Sequence, residues 1–510
     1  MKKSYLLRIL LLLTQLFIFL IGMSQTLKLI PFRKGTKWGY ANEKRILIVP
    51  AKYDSVSIFS NGLGSFKVGQ LWGVLDGNGK EFIPAKYTYI SNFYGNCAIV
   101  RKKVVTASSY GIINRAGVEI IPDEYDQFYM LSHGLIKAKK GSQFGLFDST
   151  GKELLRALYQ SIGNFSEGFA TIQYADKYGF VDSTGKVFLM PEKYTGANAF
   201  SNGFASVSVG EKFRRLDHSY VNKNGIALGR YGSAGNFSDG VAVIRPIGRE
   251  DYQVALIDTN QRIIFRGTKH MTQIENFKNG VGIYTVVMNG DSLTESEYYL
   301  SLSARVEKRG LINRYGKIII PPAYDRIYTT SCSKYLVLNK DKYGVLDING
   351  KELLPTKYDK IIFGGDTSVC LVKENSKWGV FSANGKELLK KRYDSIGNFN
   401  ENLAVIVSNN KYGYIDKTGK EVVPPRFEYA LSFGLDEVAF VIQNNLWGLI
   451  DKKGKVIREP KYDVRTYKES YTDRMIPIPY FFTDGISRVI YKGMAGYIDK
   501  TGKEYWENNF

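Results

Sequence analysis

Aspartate recurs at one place in a repeated phrase. Asp76, Asp148, Asp182, Asp258, Asp347, Asp416, Asp451 and Asp499 each open an Asp-x-x-Gly-Lys run or a variant of it. Carboxylates at a fixed spacing suit general acid–base catalysis or calcium binding. Yet Asn114, Asn222, Asn313 and Ser382 occupy the same slot. The hydrogen bonds of a turn tolerate that exchange and proton transfer does not, so the acids read as turn formers. His133, His218 and His270 are the only histidines, each without a second His or Cys at metal-ligand spacing. No G-x-S-x-G elbow, HExxH pair or phosphate loop occurs. "YGSAGNFSDG" (231–240) is glycine-rich, but no helix follows to aim its N-terminus at a phosphate. These patterns predict no catalytic residue, no metal site and no cofactor.

Lysine carries the other recurrent chemistry. The residue after the turn glycine is Lys80, Lys152, Lys186, Lys317, Lys351, Lys386, Lys420, Lys455 and Lys503. Repetition sets equivalent residues in a row, so these ammonium groups define a candidate polyanion-binding stripe along one edge. A lysine after a turn also solubilises a surface and blunts sheet edges, and that reading stays open beside the first. A second row is aromatic: Trp38, Trp72, Trp378 and Trp447 each precede a glycine. Such rings supply large apolar area for packing between repeats; exposed, they would form a ladder for sugar rings.

The elements that position both rows follow from the phrase itself. "KYGYID" (411–416) is short, aromatic and apolar and reads as a strand. "DKTGK" (416–420) supplies a hairpin turn in which Gly419 takes the left-handed conformation. "KEVVPP" is the return strand, and Pro424–Pro425 must end its ladder or force an edge or a bulge. "LAVIV" (403–407) alternates as a third strand. Anchored on its first glycine, the phrase appears at Gly39, Gly73, Gly111, Gly145, Gly179, Gly310, Gly344, Gly379, Gly413, Gly448 and Gly496. Degenerate copies stand at Ser219 and Ala255, and the commonest interval is 34 residues. The Tyr-Asp pairs, such as Tyr53–Asp54, Tyr358–Asp359 and Tyr393–Asp394, read as bends between units. A helical array of the same period is excluded by the density of Gly and Pro. The expected fold is all-β: about thirteen short antiparallel meanders stacked as an open solenoid or superhelix, with two propeller-like rings of seven and six units as the alternative.

"KWGY" (37–40), "LWGV" (71–74), "KWGV" (377–380) and "LWGL" (446–449), each followed by a glycine-containing turn, resemble the bacterial WG-repeat (KWG-repeat) family. The resemblance spans nearly all of the chain after the leader and is weakest between about 205 and 305. It implies an all-β repeat domain, often exported, with no catalytic residue to carry over. In this chain the aromatic becomes Tyr110, Tyr178, Tyr343, Tyr412 or Phe144, and it is lost at His218, Val254, Arg309 and Ala495.

Lys2, Lys3 and Arg8 precede an apolar run from Ile9 to Ile21, then Gly22 and Ser24, the order of a secretory signal peptide. The expected organisation is a signal peptide at 1–24, a first array at 25–283, an irregular insertion at 284–308 and a second array at 309–510. No later segment is apolar and long enough to cross a bilayer as a helix. Cys97, Cys332 and Cys370 are too few for a disulfide framework. The net charge of +21 falls to +18 without the leader and favours polyanionic partners; nucleic acid is not expected of an exported chain with no recognised nucleic-acid module. The sequence therefore predicts an exported, non-catalytic scaffold in the periplasm, on the outer surface or outside the cell. Over an extended basic face it would bind an acidic envelope polymer or a protein. A polysaccharide-active enzyme with its site in the irregular 205–305 stretch and a purely structural spacer remain the alternatives. N-terminal sequencing of protein recovered from the envelope or medium should begin near Gln25; an intact Met1 would refute processing.

Overall fold

The computed structural model describes residues 29–102, 109–210, 217–248, 253–288, 306–330, 332–364, 368–468 and 475–507. The leader, the proposed Gln25 terminus and the centre of the 284–308 insertion lie outside these. Nearly every described element is a strand, and all sheets are antiparallel meanders in chain order. No sheet among the described residues closes into a barrel. No helix there is long and apolar enough to cross a membrane.

Among the described residues between Gln127 and Asp463, nine four-stranded sheets follow one another. One repeat shows the plan: Lys360–Phe363, Val369–Glu374, Lys377–Ser382 and Glu387–Tyr393. The sequence suggests three strands per unit. The fourth is the short strand that starts straight after Tyr-Asp, where the residues read as a bend. Two to four residues carry too little alternation to announce a strand.

The aromatic-Gly pair is explained by the return strand. Tyr412 lies opposite Phe427 and Tyr414 opposite Val423, so the return strand fits two extra residues against Gly413. Pro424 and Pro425, which lack the N–H a ladder needs, sit in that bulge. A Cβ on Gly413 would lie 2.5 Å from the Val423 carbonyl oxygen and 2.7 Å from the Pro425 nitrogen. The same crossing recurs at Gly39, where Trp38 faces Tyr53 and Tyr40 faces Val49, and at Gly179, with the Leu189 oxygen at 2.1 Å. Glycine here makes room for the chain's own backbone rather than for a neighbouring repeat.

Repeats join through buried faces. Val369, Leu371, Val380 and Tyr393 of one repeat share a core with Ile396, Ala404, Ile406 and Ile415 of the next. The chain forms two compact units, 1–124 with 461–510, and 125–460. In the second, every sheet is built to the plan above. In the first, the opening strand Ile30–Lys34 meets the chain's last described residues. Arg33 pairs with Trp506, its Nε donates to the Ala495 oxygen at 2.6 Å, and Ile30, Phe32, Tyr497 and Tyr505 share one core.

Gly413→Ala should lower stability by about 1–3 kcal/mol, the cost of overpacking. Gly434→Ala, where a Cβ meets nothing within 4 Å, should stay within about 0.5 kcal/mol of the parent. Hydrogen exchange across 403–427 together with chemical denaturation measures both. Equal effects would remove the bulge argument.

Candidate polyanion-binding surface

The recurring acids are used up by their own turns. Asp416 Oδ1 accepts from the Thr418 amide at 2.9 Å, the Thr418 hydroxyl at 2.6 Å and the Lys420 amide at 3.0 Å. Asn114 accepts the equivalent amides of Ala116 and Val118, and Ser382 Oγ that of Lys386 at 3.1 Å. Partial burial works to raise the Asp416 carboxyl, but these bonds outweigh it and hold the group below its ordinary value. The exchange of Asp for Asn and Ser is thus explained by hydrogen bonding alone.

Each turn presents the residue after its glycine outward. Within the 125–460 unit, Lys152, Lys186, Lys317, Lys351, Lys386, Lys420 and Lys455 are exposed. None has a carboxylate within ion-pair distance among the described residues. Successive turns adjoin, because the turn glycine packs on the preceding repeat. A Cβ on Gly419 would meet Leu389 Cβ at 2.7 Å, and one on Gly185 would meet Leu154 Cβ at 2.6 Å. Leu154 and Leu389 stand shortly after Lys152 and Lys386, so neighbouring lysines share one edge. Arg262 joins them from a degenerate copy. Its amide bonds Asp258 Oδ1 at 2.9 Å, and Gln261 takes the turn-glycine slot at φ 63°. Sequence reading passes over it because "DTNQR" lacks the glycine; alignment of its Asp with the other turns is the signal that finds it. Ile226 interrupts the row. In the 1–124/461–510 unit Lys80 is exposed, whereas Lys503 donates to the Glu43 oxygen at 2.5 Å and is committed to structure. Ile46 and Val118 fill the slot in that unit's other turns.

A different set of lysines is neutralised at the opposite end of three successive meanders. Lys308, Lys342 and Lys377 pair with Asp325, Asp359 and Asp394 at 2.7, 2.6 and 2.5 Å. The second carboxylate oxygen accepts a hairpin amide from the following strand pair: Lys340 for Asp325, Asn375 for Asp359 and Asn409 for Asp394. The lysine hydrogen bond, chiefly, holds all three carboxyls below their ordinary value of 3.8. The Tyr of each Tyr-Asp pair turns inward: Tyr393 is buried, and its hydroxyl donates to Glu421 Oε1 at 2.5 Å.

The tryptophans divide. Trp447 is fully buried. Trp38, Trp72 and Trp378 are half-buried, each opposite a tyrosine across the bulge: Tyr53, Tyr87 and Tyr393. Lys67 lies 5.5 Å over Trp72 and Lys373 5.9 Å over Trp378. Trp378 packs on the core shared by two repeats, and Trp38 meets Tyr497 edge-on at 5.6 Å.

The irregular stretch assembles no catalytic pair among its described residues; 211–216, 249–252 and 289–305 lie outside them. A cleft of about 580 Å³ opens beside Gln273, Asn276 and Thr329, and Glu275 is the one acid among the described residues of its wall. Burial raises the Glu275 carboxyl, partly offset by Arg309. Glycoside hydrolysis needs two flanking carboxylates. His218 is half-buried between strands, and burial lowers its pKa; His133 stands in a tight turn at φ 61°. No group of three metal-ligating residues forms among the described residues.

An all-β array of repeated meanders that presents rows of turn residues, with no assembled catalytic or metal-binding constellation among the described residues, defines a repeat scaffold. The chain belongs to the WG containing repeat family, whose pattern matches residues 38–72, 72–103, 110–143, 144–178, 178–213, 310–343, 343–378, 378–412, 412–447 and 447–464. No curated protein matches it. Among solved structures it is similar to a eukaryotic initiation factor (10% identity, 71% of this chain and 95% of that one, TM-score 0.32). It is also similar to the extracellular domain of the hybrid two component system BT3049 from B. thetaiotaomicron (10%, 87% and 68%, 0.22). A third is PorZ, a surface component of the type-IX secretion system of Porphyromonas gingivalis (10%, 94% and 84%, 0.19).

Because the Asp325, Asp359 and Asp394 carboxyls are depressed in the fold, their stabilisation is complete above the ordinary carboxyl value. It is lost as pH falls through the depressed one. A triple Asp→Asn variant should be less stable at neutral pH and lose less on acidification below about pH 4, read as urea midpoint against pH. A parental acid limb would mean the pairs contribute nothing.

Proposed function

We propose that this protein is an exported, non-catalytic scaffold that holds an acidic envelope polymer along its turn-lysine row. The observation that carries this reading is the set of seven lysines and Arg262 at equivalent turns of the 125–460 unit, exposed and without carboxylate partners among the described residues, while Lys308, Lys342 and Lys377 at the other end of their meanders are paired. A polymer with regularly spaced negative groups meets several of these cations at once, and multivalent contact multiplies weak individual attractions. The signal-like leader supports export, and the net charge of +18 after its removal supports a polyanionic partner.

Binding of polygalacturonate and of lipopolysaccharide should weaken steeply with salt, since exposed charges are screened within about 8 Å at physiological ionic strength. Changing Lys351, Lys386, Lys420 and Lys455 together to Gln should remove most of the salt slope and leave the fold intact, because surface changes usually cost under about 0.5 kcal/mol each. Full affinity and an unaltered slope in that variant would leave the row as solubilising surface and the chain as a spacer.

A further inference from the structure

One lysine breaks the rule of its own repeat array. Lys137 lies opposite Leu146, the residue after the anchor glycine. In the other eight repeats of the 125–460 unit the same slot holds an uncharged residue, from Thr171 and Ser206 to Val405 and Phe440. Those side chains need no charge to pack against the following repeat. Lys137 brings an ammonium to that place, where its Nζ donates to the Ile162 oxygen at 3.0 Å. No carboxylate is within ion-pair distance among the described residues. Burial pushes its pKa down, as expected for a cation without a counter-charge.

Aromatic rings bracket the ammonium. Lys137 Nζ lies 4.9 Å from the Tyr129 ring centre and 5.4 Å from that of Phe144, and Tyr129 is its direct cross-strand partner. Phe144 faces Tyr159 across the bulge, and Tyr159 meets Tyr174 at 6.4 Å. This patch is open: Tyr129 is 36% exposed and Tyr174 50%. The Tyr129 hydroxyl bonds Gln127 Oε1 at 2.7 Å, which adds a polar rim beside the ring.

We infer that Lys137, Tyr129 and the neighbouring rings form a binding subsite for a sugar acid, a pyranose ring bearing a carboxylate. A pyranose offers flat C–H edges that stack on an exposed aromatic ring and hydroxyls that suit a Tyr–Gln rim. Its carboxylate supplies the counter-charge that Lys137 lacks, in a setting drier than the turn-lysine row and less screened by salt. A neutral sugar leaves the ammonium uncompensated, and a bare carboxylate leaves the rings uncovered. The subsite uses none of the turn lysines, so it stands or falls separately from the polymer-binding row.

The test is calorimetric titration of the full chain with digalacturonate, galactobiose and acetate. Digalacturonate should bind at least tenfold more tightly than either of the others. Lys137→Gln should lose at least tenfold toward digalacturonate, as should Tyr129→Leu. The quadruple turn-lysine variant should bind digalacturonate as the parent does. Circular dichroism verifies the fold of each variant, and if Lys137→Gln fails to fold then Tyr129→Leu decides. Parental affinity in the deciding variant, equal affinity for galactobiose or acetate, or no binding of digalacturonate overturns the assignment.

Discussion

One residue of strand opposite three of its neighbour is the constraint on which this architecture depends. The return strand can carry its extra residues past the central one only if no side chain stands between them, and the glycine after the aromatic removes that side chain. Once the bulge is placed, much else follows. Prolines are tolerated where no ladder bond is needed. The return strand swings so that Tyr393 lies opposite Trp378, and Asp394 reaches the next hairpin. The repeat is therefore a device for turning one sheet edge toward the next unit.

Much of this was legible in the residues. The period, the strand–turn–strand core, the turn role of the acids and the all-β class follow from Gly, Pro and Asp at fixed offsets, because backbone geometry restricts those positions to few residue types. What escaped has physical reasons too. The short first strand lacks enough residues to alternate. The partner of the glycine is set by register, and a bulge two residues long leaves no mark beyond a proline. Arg262 hides because Gln261 adopts a positive φ that the turn favours in glycine. Lys137 hides for the opposite reason: "IKAKK" is an ordinary strand, and only its register shows that one of its lysines occupies a slot that neighbouring repeats keep neutral.

Charge is allotted by position within the meander. At one end, Lys–Asp pairs and hairpin amides join successive elements, so those cations belong to folding. At the other, Asp turns inward to its own amides while Lys faces water. Lys137 apart, a scaffold made this way keeps a basic edge without burying uncompensated charge, since the groups that stabilise the fold and the groups that face outward are different residues. Folding and surface chemistry can then vary independently from repeat to repeat, as Ile226 and Arg262 illustrate.

The compact unit made from both chain ends sets an order of assembly. Ile30–Lys34 pairs along one edge with the adjacent strand Lys37–Ala41, but completes its hydrogen bonds and its apolar cover with residues near 486–506, whereas every meander of the 125–460 unit finds its neighbours within a short stretch of chain. A polypeptide emerging amino end first, from a ribosome or through a pore, completes its middle before its beginning. The opening strand meanwhile waits with Ile30 and Phe32 only partly covered, by Ala41, Trp38 and Ile58, until the last segment arrives. During that interval the newest part of the chain governs the fate of the oldest, and any factor that shields the first strand would act as a timer on maturation.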